Sequence, residues 1–293
     1  MANWTDNDLR ALDLKFALGG VHRHQRPLRA AIELLGSRFV MGAYGNPKVK
    51  QICDDYERLF PEGRAAWPGA GIGIATSVDQ VRKITLSVTY GSMRLEPWQD
   101  MDFPSREAWW TWCRQSPDIG AETSFAWADV QDLTAGTDFF DSAPDDAQEM
   151  AQMATSNLED IANALPTSFR VDSIIQPICL LSELSLKAAL RAIGVPVKEI
   201  RVNQGHDLNH LAERLAERSP HRDDALVMNV ISRMPAYVQS RYKPAGLTRL
   251  EVVRLALGSQ MVAASAIRRV SGADLAAQLE TGGWPVPRKP IFD

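Results

Sequence analysis

From residue 147 onward, apolar side chains recur at three- and four-residue steps in segment after segment, and only packed amphipathic helices bury such a pattern. Ala147 to Leu165 carries Met150, Met153, Ala154, Leu158, Ile161 and Leu165 on one side, and Pro166 stops it. Val171 to Ile193 is a long apolar helix ended by Gly194 and Pro196. Asp207 to Arg218 places Leu208, Leu211 and Leu215 on one face, and Asp223 to Tyr242 and Leu247 to Val270 complete the set. Short polar connections between helices of this length predict an antiparallel bundle.

The earlier residues read differently. Asp8 to Leu18, Arg26 to Leu35 and Pro47 to Leu59 have helical stripes, whereas AGIGIATS and KITLSVTYGSM between Gly69 and Met93 have the glycines and two-residue alternation of strands. A small sheet, with a hairpin as its simplest form, is expected there. Ser105 before REAWWTWCR reads as a capped helix in a stretch dense in tryptophan, and packing explains such density better than base stacking does. The texture changes most sharply at DFFDSAPDD, residues 138–146, where Asp141, Ser142 and Pro144 suit a helix entry. The predicted fold class is mainly α, with a C-terminal antiparallel helical bundle after an N-terminal mixed α+β region. The expected domains are residues 1–140, residues 141–272, and an irregular tail over 273–293 whose prolines keep it on the surface.

Bulk properties narrow the function classes. The net charge of −4 argues against a protein that coats nucleic acid non-specifically. Residues 1–150 hold 15 Lys/Arg against 22 Asp/Glu, or −7, and residues 151–293 hold 17 against 14, or +3, so phosphate contact belongs to the second half. Cys53, Cys113 and Cys179 lack metal-ligand or redox spacing and read as buried free thiols. No run approaches the roughly 18–20 uninterrupted apolar residues of a membrane span, and the start MANWTDNDLR is too polar for a signal peptide. The expected location is the cytoplasm, without membrane contact.

Three motifs in the helical half occur together and in order. LSELSLKAALRAIG sets Glu183 and Lys187 one turn apart; QGHDLNHLAERL opens a helix with His206 and Asp207; AYVQSRYKP carries Arg241 and Tyr242 near the end of the fourth helix. In this order and helical setting, residues 147–271 resemble the HEPN (higher eukaryotes and prokaryotes nucleotide-binding) domain family. The resemblance implies an up-and-down helical bundle, frequently a homodimer, that binds nucleotides or RNA in defence, toxin or RNA-processing systems. Glu183, Lys187, His206, Arg241 and Tyr242 would then surround the ligand. Many family members are metal-independent endoribonucleases that use an Arg, four to six intervening residues and a His. In such a pair the His handles the ribose 2′-hydroxyl proton and the Arg fork neutralises the phosphate. Here YKPAGLT follows Arg241 and offers no histidine at that distance. The spacing occurs instead at Arg201 to His206 and Arg214 to His221, and a chain with 24 arginines and 5 histidines gives about one such match by chance. Arg201, His206 and Arg241 are the weak catalytic candidates.

Other features have plainer readings. His206 and His210 are four apart, as in a helical zinc site, but no third ligand is placed by spacing, so no metal is expected. His22 and His24 read as a basic solvated surface, and PGAGIG at 68–73 lacks the ending of a phosphate loop and reads as a turn into a strand. No cofactor motif is present. The expected function is a HEPN-like nucleotide- or RNA-binding protein. A non-catalytic dimerisation or adaptor scaffold docking a protein partner is the alternative, with Glu183, Lys187 and Arg241 as an internal ion-pair network. A third reading makes residues 1–140 the active part and the bundle its platform.

Overall fold

The computed structural model describes residues 4–39, 47–61, 69–87, 96–137, 140, 142–200, 206–235, 246–282 and 287–292. The chain forms two compact units, Met1–Pro68 and Gly69–Asp293.

Among its described residues the first unit has three α-helices, α1 (Asp6–Leu18), α2 (Arg26–Leu35) and α3 (Pro47–Leu59), at nearly the positions their stripes predict. Thr5 and Asp8 form a reciprocal capping box on α1, and Pro27 occupies the first turn of α2. Leu9, Phe16, Leu35, Ile52 and Tyr56 make the core. The Tyr56 hydroxyl and the Arg26 guanidinium both donate to Asp13 Oδ1, at 2.6 and 3.0 Å, which joins all three helices through one carboxylate.

The second unit opens with the hairpin β1 (Ile72–Ser77) and β2 (Gln80–Thr85), antiparallel with Ser77 opposite Gln80 across a two-residue turn. Helices α4 (Pro97–Asp100) and α5 (Arg106–Trp112) follow, the latter capped by Ser105 as expected. Trp109 and Trp127 are core residues, and the Trp127 indole donates to Asp100, which confirms packing as the use of the aromatics. Then come α6 (Pro117–Thr137), α7 (Asp145–Ala164), α8 (Ile175–Ala192), the short α9 (Val197–Ile200), α10 (Leu208–Arg218), α11 (Asp224–Ile231), α12 (Arg249–Ser271) and α13 (Leu275–Thr281).

Two expectations change here. The fourth bundle helix, expected over Asp223 to Tyr242, is broken after Ile231, whose carbonyl gets no N–H from Pro235, and residues 236–245 lie outside the described residues. The 273–293 segment is not simply irregular: Asp274 caps α13, and residues 287–292 lie against the core.

Helix directions follow from pairs of contacts. Asp146 at the start of α7 binds Arg191 at the end of α8, and Arg249 at the start of α12 donates to carbonyls at the end of α7, so α7 runs antiparallel to both. In contrast, Ile178 and Ser182 meet Ser259 while Leu190 and Ala266 share a core cluster, so α8 and α12 run in the same sense. The same holds for α6 and α12, which meet at Ala126 with Gln260 and at Gly136 with Ile267. The bundle is thus mixed and not antiparallel throughout. Short connections enforce reversal, but the long passage through α9 to α11 lets α12 return alongside α8.

Two helical stretches, Asp172–Ala192 and Arg249–Ser271, are long and apolar enough in composition to cross a membrane once a few charges are tolerated. Within this fold 72% and 83% of their apolar windows are buried by neighbouring helices, so core packing accounts for that composition.

Gln260 on α12 joins the hairpin to the bundle. Its Oε1 accepts from the Ile74 N–H at 2.8 Å, and its Nε2 donates to the carbonyls of Ile74 and Ala126 at 3.1 and 3.0 Å. The amide thereby pairs with β1 much as a third strand would. Gly73 permits the approach, since a Cβ there would lie 2.2 Å from Val130 Cγ2 and 2.6 Å from Gln260 Oε1. The PGAGIG run therefore serves close packing, as its reading as a turn into a strand anticipates. Gln260→Leu keeps the volume but leaves three buried backbone groups without these bonds, and is expected to cost about 2–4 kcal/mol in urea unfolding. A loss within about 0.5 kcal/mol would show that the hairpin docks without the amide.

Candidate functional site

Glu183 sits mid-way along α8, where the helix is buried on nearly every side, and only 3% of the residue is exposed. A carboxylate held there needs partners, because desolvation of an uncompensated charge costs several kcal/mol, of order. Lys187 supplies one, its Nζ donating to Glu183 Oε1 at 2.6 Å one turn along the helix. His206 supplies the other from a different part of the chain, with Nδ1 at 3.0 and 3.2 Å from the two carboxylate oxygens. Asp207 then caps α10 by accepting from the His210 N–H, which fixes the backbone beside His206.

The cluster grades from closed to open. The side chains of Glu183 and Lys187 are 4% and 16% exposed, and that of His206 is 52% exposed. With its proton on Nδ1, His206 donates to the carboxylate and turns Nε2 away from Glu183, the arrangement that orients a histidine for acid–base work. For Cys179, one turn before Glu183, burial first, and then the Glu183 charge, push the thiol up to about 12. Cys53, Cys113 and Cys179 are all free, as expected.

Of the residues singled out by sequence, Glu183, Lys187 and His206 therefore come together. Arg201, Arg241 and Tyr242 lie outside the described residues. The second Arg-to-His match does not converge: Arg214 binds Glu199 and Glu217, whereas His221 faces Asp223 and Asp274. Among the described residues no group of three or more His, Cys, Asp or Glu is arranged to hold a metal. A groove of about 390 Å³ lies near the other end of α8, lined by Asp160, Asn163, Ser173 and Pro177 among others, and includes none of the cluster.

A larger charged cluster went unread in the sequence. The Arg268 side chain on α12 is fully buried, and its guanidinium donates to Asp132 through Nε (2.7 Å), to Asp223 through Nη1 (3.1 Å) and to Asp129 through Nη2 (2.6 Å). Asp274 lies 3.5 Å from the same Nε and pairs with Arg222. Asp129 also receives Arg288. Only the acid-then-acid spacing of Asp129 and Asp132 hinted at this, and their partners lie far along the chain.

Neither a protein-family model, nor a curated protein, nor a solved structure matches this chain.

The carboxylates around Arg268 give the fold a defined response to acid. Burial would raise Asp223, but His221, Arg268, Arg222 and Arg288 outweigh it and hold the carboxyl below its ordinary 3.8. Asp274 is likewise lowered, with burial opposed by Arg222 and a backbone N–H. Such groups stabilise the folded chain above 3.8 and lose that contribution as pH falls through their lower folded values. Asp132 has the opposite sign: burial, its largest influence, keeps it raised despite Arg268, so its protonation favours the folded chain. Arg268→Leu strands the buried carboxylates and is expected to cost about 3–5 kcal/mol at pH 7. The deficit should narrow on acidification, as the freed acids take up protons. Urea unfolding of both proteins at pH 7 and pH 5 checks this, and a pH-independent gap would contradict it.

Proposed function

We propose that residues 141–272 of the second unit form a HEPN-like module that binds a nucleotide or an RNA segment at the Glu183, Lys187 and His206 cluster. The observation behind this reading is the convergence on one carboxylate of a lysine and a histidine from separate motifs, grading outward to a half-exposed imidazole. The mainly helical fold agrees with the resemblance. In this reading Lys187 and Arg241 meet phosphate, Tyr242 borders a base, and His206 stands beside a ribose hydroxyl. If the module cleaves RNA, it does so without a metal, and His206 carries the proton.

A second reading rests on the depth of the same carboxylate. Because Glu183 is almost wholly enclosed, its contacts also serve to clamp the residues ahead of α10 onto α8, as a dimerisation or adaptor scaffold would require. Titration of fluorescent single-stranded RNA in chelator at low salt separates the two. The RNA-binding reading expects saturable binding that weakens steeply with salt, and falls about tenfold in both His206→Ala and Arg241→Glu at temperatures where each variant is still folded. Cleavage lost in His206→Ala would assign the endoribonuclease activity. Absence of binding by the unsubstituted chain, together with a dimeric mass free of nucleic acid, would leave the scaffold.

A further inference from the structure

Residues 287–292 contact the rest of the second unit as a bound peptide does, through spaced anchors and without a strand or helix of their own. Arg288 inserts into a buried acidic recess: its Nη1 donates to Asp129 Oδ1 at 2.8 Å while Nη2 makes a second, parallel bond to Oδ2. Its guanidinium carbon lies 5.4 Å from the centre of the Phe125 ring. Four residues on, Asn229 reads the backbone of Phe292 in both directions, its Nδ2 donating to the carbonyl at 2.9 Å and its Oδ1 accepting the N–H at 3.2 Å. Ile291 and Phe292 pack at the edges of two core clusters. Between these anchors Lys289 and Pro290 are exposed, and Lys289 meets an equally exposed Asp118.

The recess calls for an arginine. Asp129, Asp132 and Asp223 are each at most 2% exposed, and Arg268 is the one guanidinium that touches all three. Arg288, itself 8% exposed, adds a second positive charge. A planar fork satisfies both Asp129 oxygens at once and stacks on Phe125, which a lysine ammonium cannot do.

We infer that this groove is a receptor for a linear peptide segment bearing Arg, two intervening residues and then Ile-Phe, which the chain's own 287–292 segment occupies in cis. The recognition elements are the Asp129 carboxylate with the Phe125 face for the arginine and the Asn229 amide for the backbone at the aromatic residue. Neither depends on the Glu183 cluster.

The test uses the full chain carrying Arg288→Ala and Phe292→Ala, titrated with a labelled, end-capped peptide of the sequence Pro-Arg-Lys-Pro-Ile-Phe. Saturable binding is expected, about tenfold or more tighter than to the unsubstituted chain, whose groove is filled. Replacing the peptide arginine by lysine should weaken binding by about tenfold. A variant that melts cooperatively yet does not bind the peptide overturns the inference, as does equal affinity for the lysine peptide. So does a variant that no longer folds, since the segment would then be part of the core and not its ligand.

Discussion

A single buried guanidinium, that of Arg268, has to be satisfied before much of the second unit can close. Its donors reach acids contributed by α6 and by the residue ahead of α11, with the acid capping α13 close by. The guanidinium needs all three acids to fill its donor directions, and losing it would leave Asp132 with no other cationic partner among the described residues. Asp132 extends the dependence by accepting the N–H groups of Leu275 and Ala276, which anchors the positive end of α13 on α6. Three stretches of chain distant in sequence, α6, the start of α11 and the α12–α13 corner, are thereby coupled through one side chain. The coupling favours cooperative assembly over independent docking of each helix.

Apolar packing alone would leave α8 and α12 free to slide, since both are apolar enough in composition to cross a membrane. Their few polar groups fix the register. The hydroxyls of Ser182 and Ser259 meet at 2.8 Å, Ser259 donates to the Ile178 carbonyl, and Gln260 grips β1 from the other side. Each bond is worth about 1 kcal/mol net, yet leaving its partners unmet in the core costs more, so the penalty for a wrong register exceeds the gain for the right one. Glu183 works in the same way mid-way along α8, where its bond to His206 ties the entry of α10 to that helix.

What could be read from the sequence was what a local period reveals. The stripes of α1 to α3, α7, α10 and α12 place these helices to within a few residues, and the hairpin follows from alternation and glycine. Helix α6 was missed because it is buried around most of its circumference and so shows no single stripe, while Asp129, Asp132, Thr123 and Ser124 resemble solvent-facing residues. Their burial is decided by Arg268 and others, more than 130 positions away for the aspartates, and no local window contains that information. Chain direction was misjudged for a related reason: loop length enforces reversal only between consecutive helices. The Glu183 and Lys187 pair was visible at its spacing but read as easily as an ordinary surface pair. Only the tertiary fold shows that the carboxylate is enclosed and that His206 joins it.

The two charged clusters differ in a way that separates structural from functional roles. Around Arg268 the donors are spent on carboxylates, the guanidinium is closed to solvent, and exchange of any partner would expose an uncompensated charge in the core. Such a cluster can hold a fold together but has no face to offer a ligand, except at its margin, where Arg288 enters beside Phe125. Around Glu183 the order is reversed. The acid is buried, its bases lie progressively outward, and the outermost group is a half-exposed imidazole. Chemistry needs a group that is held from behind and reachable from solvent, and the His206 ring is the more open of the two described bases on Glu183. That asymmetry, and not the density of charge, is the reason to look for ligand binding at the smaller cluster.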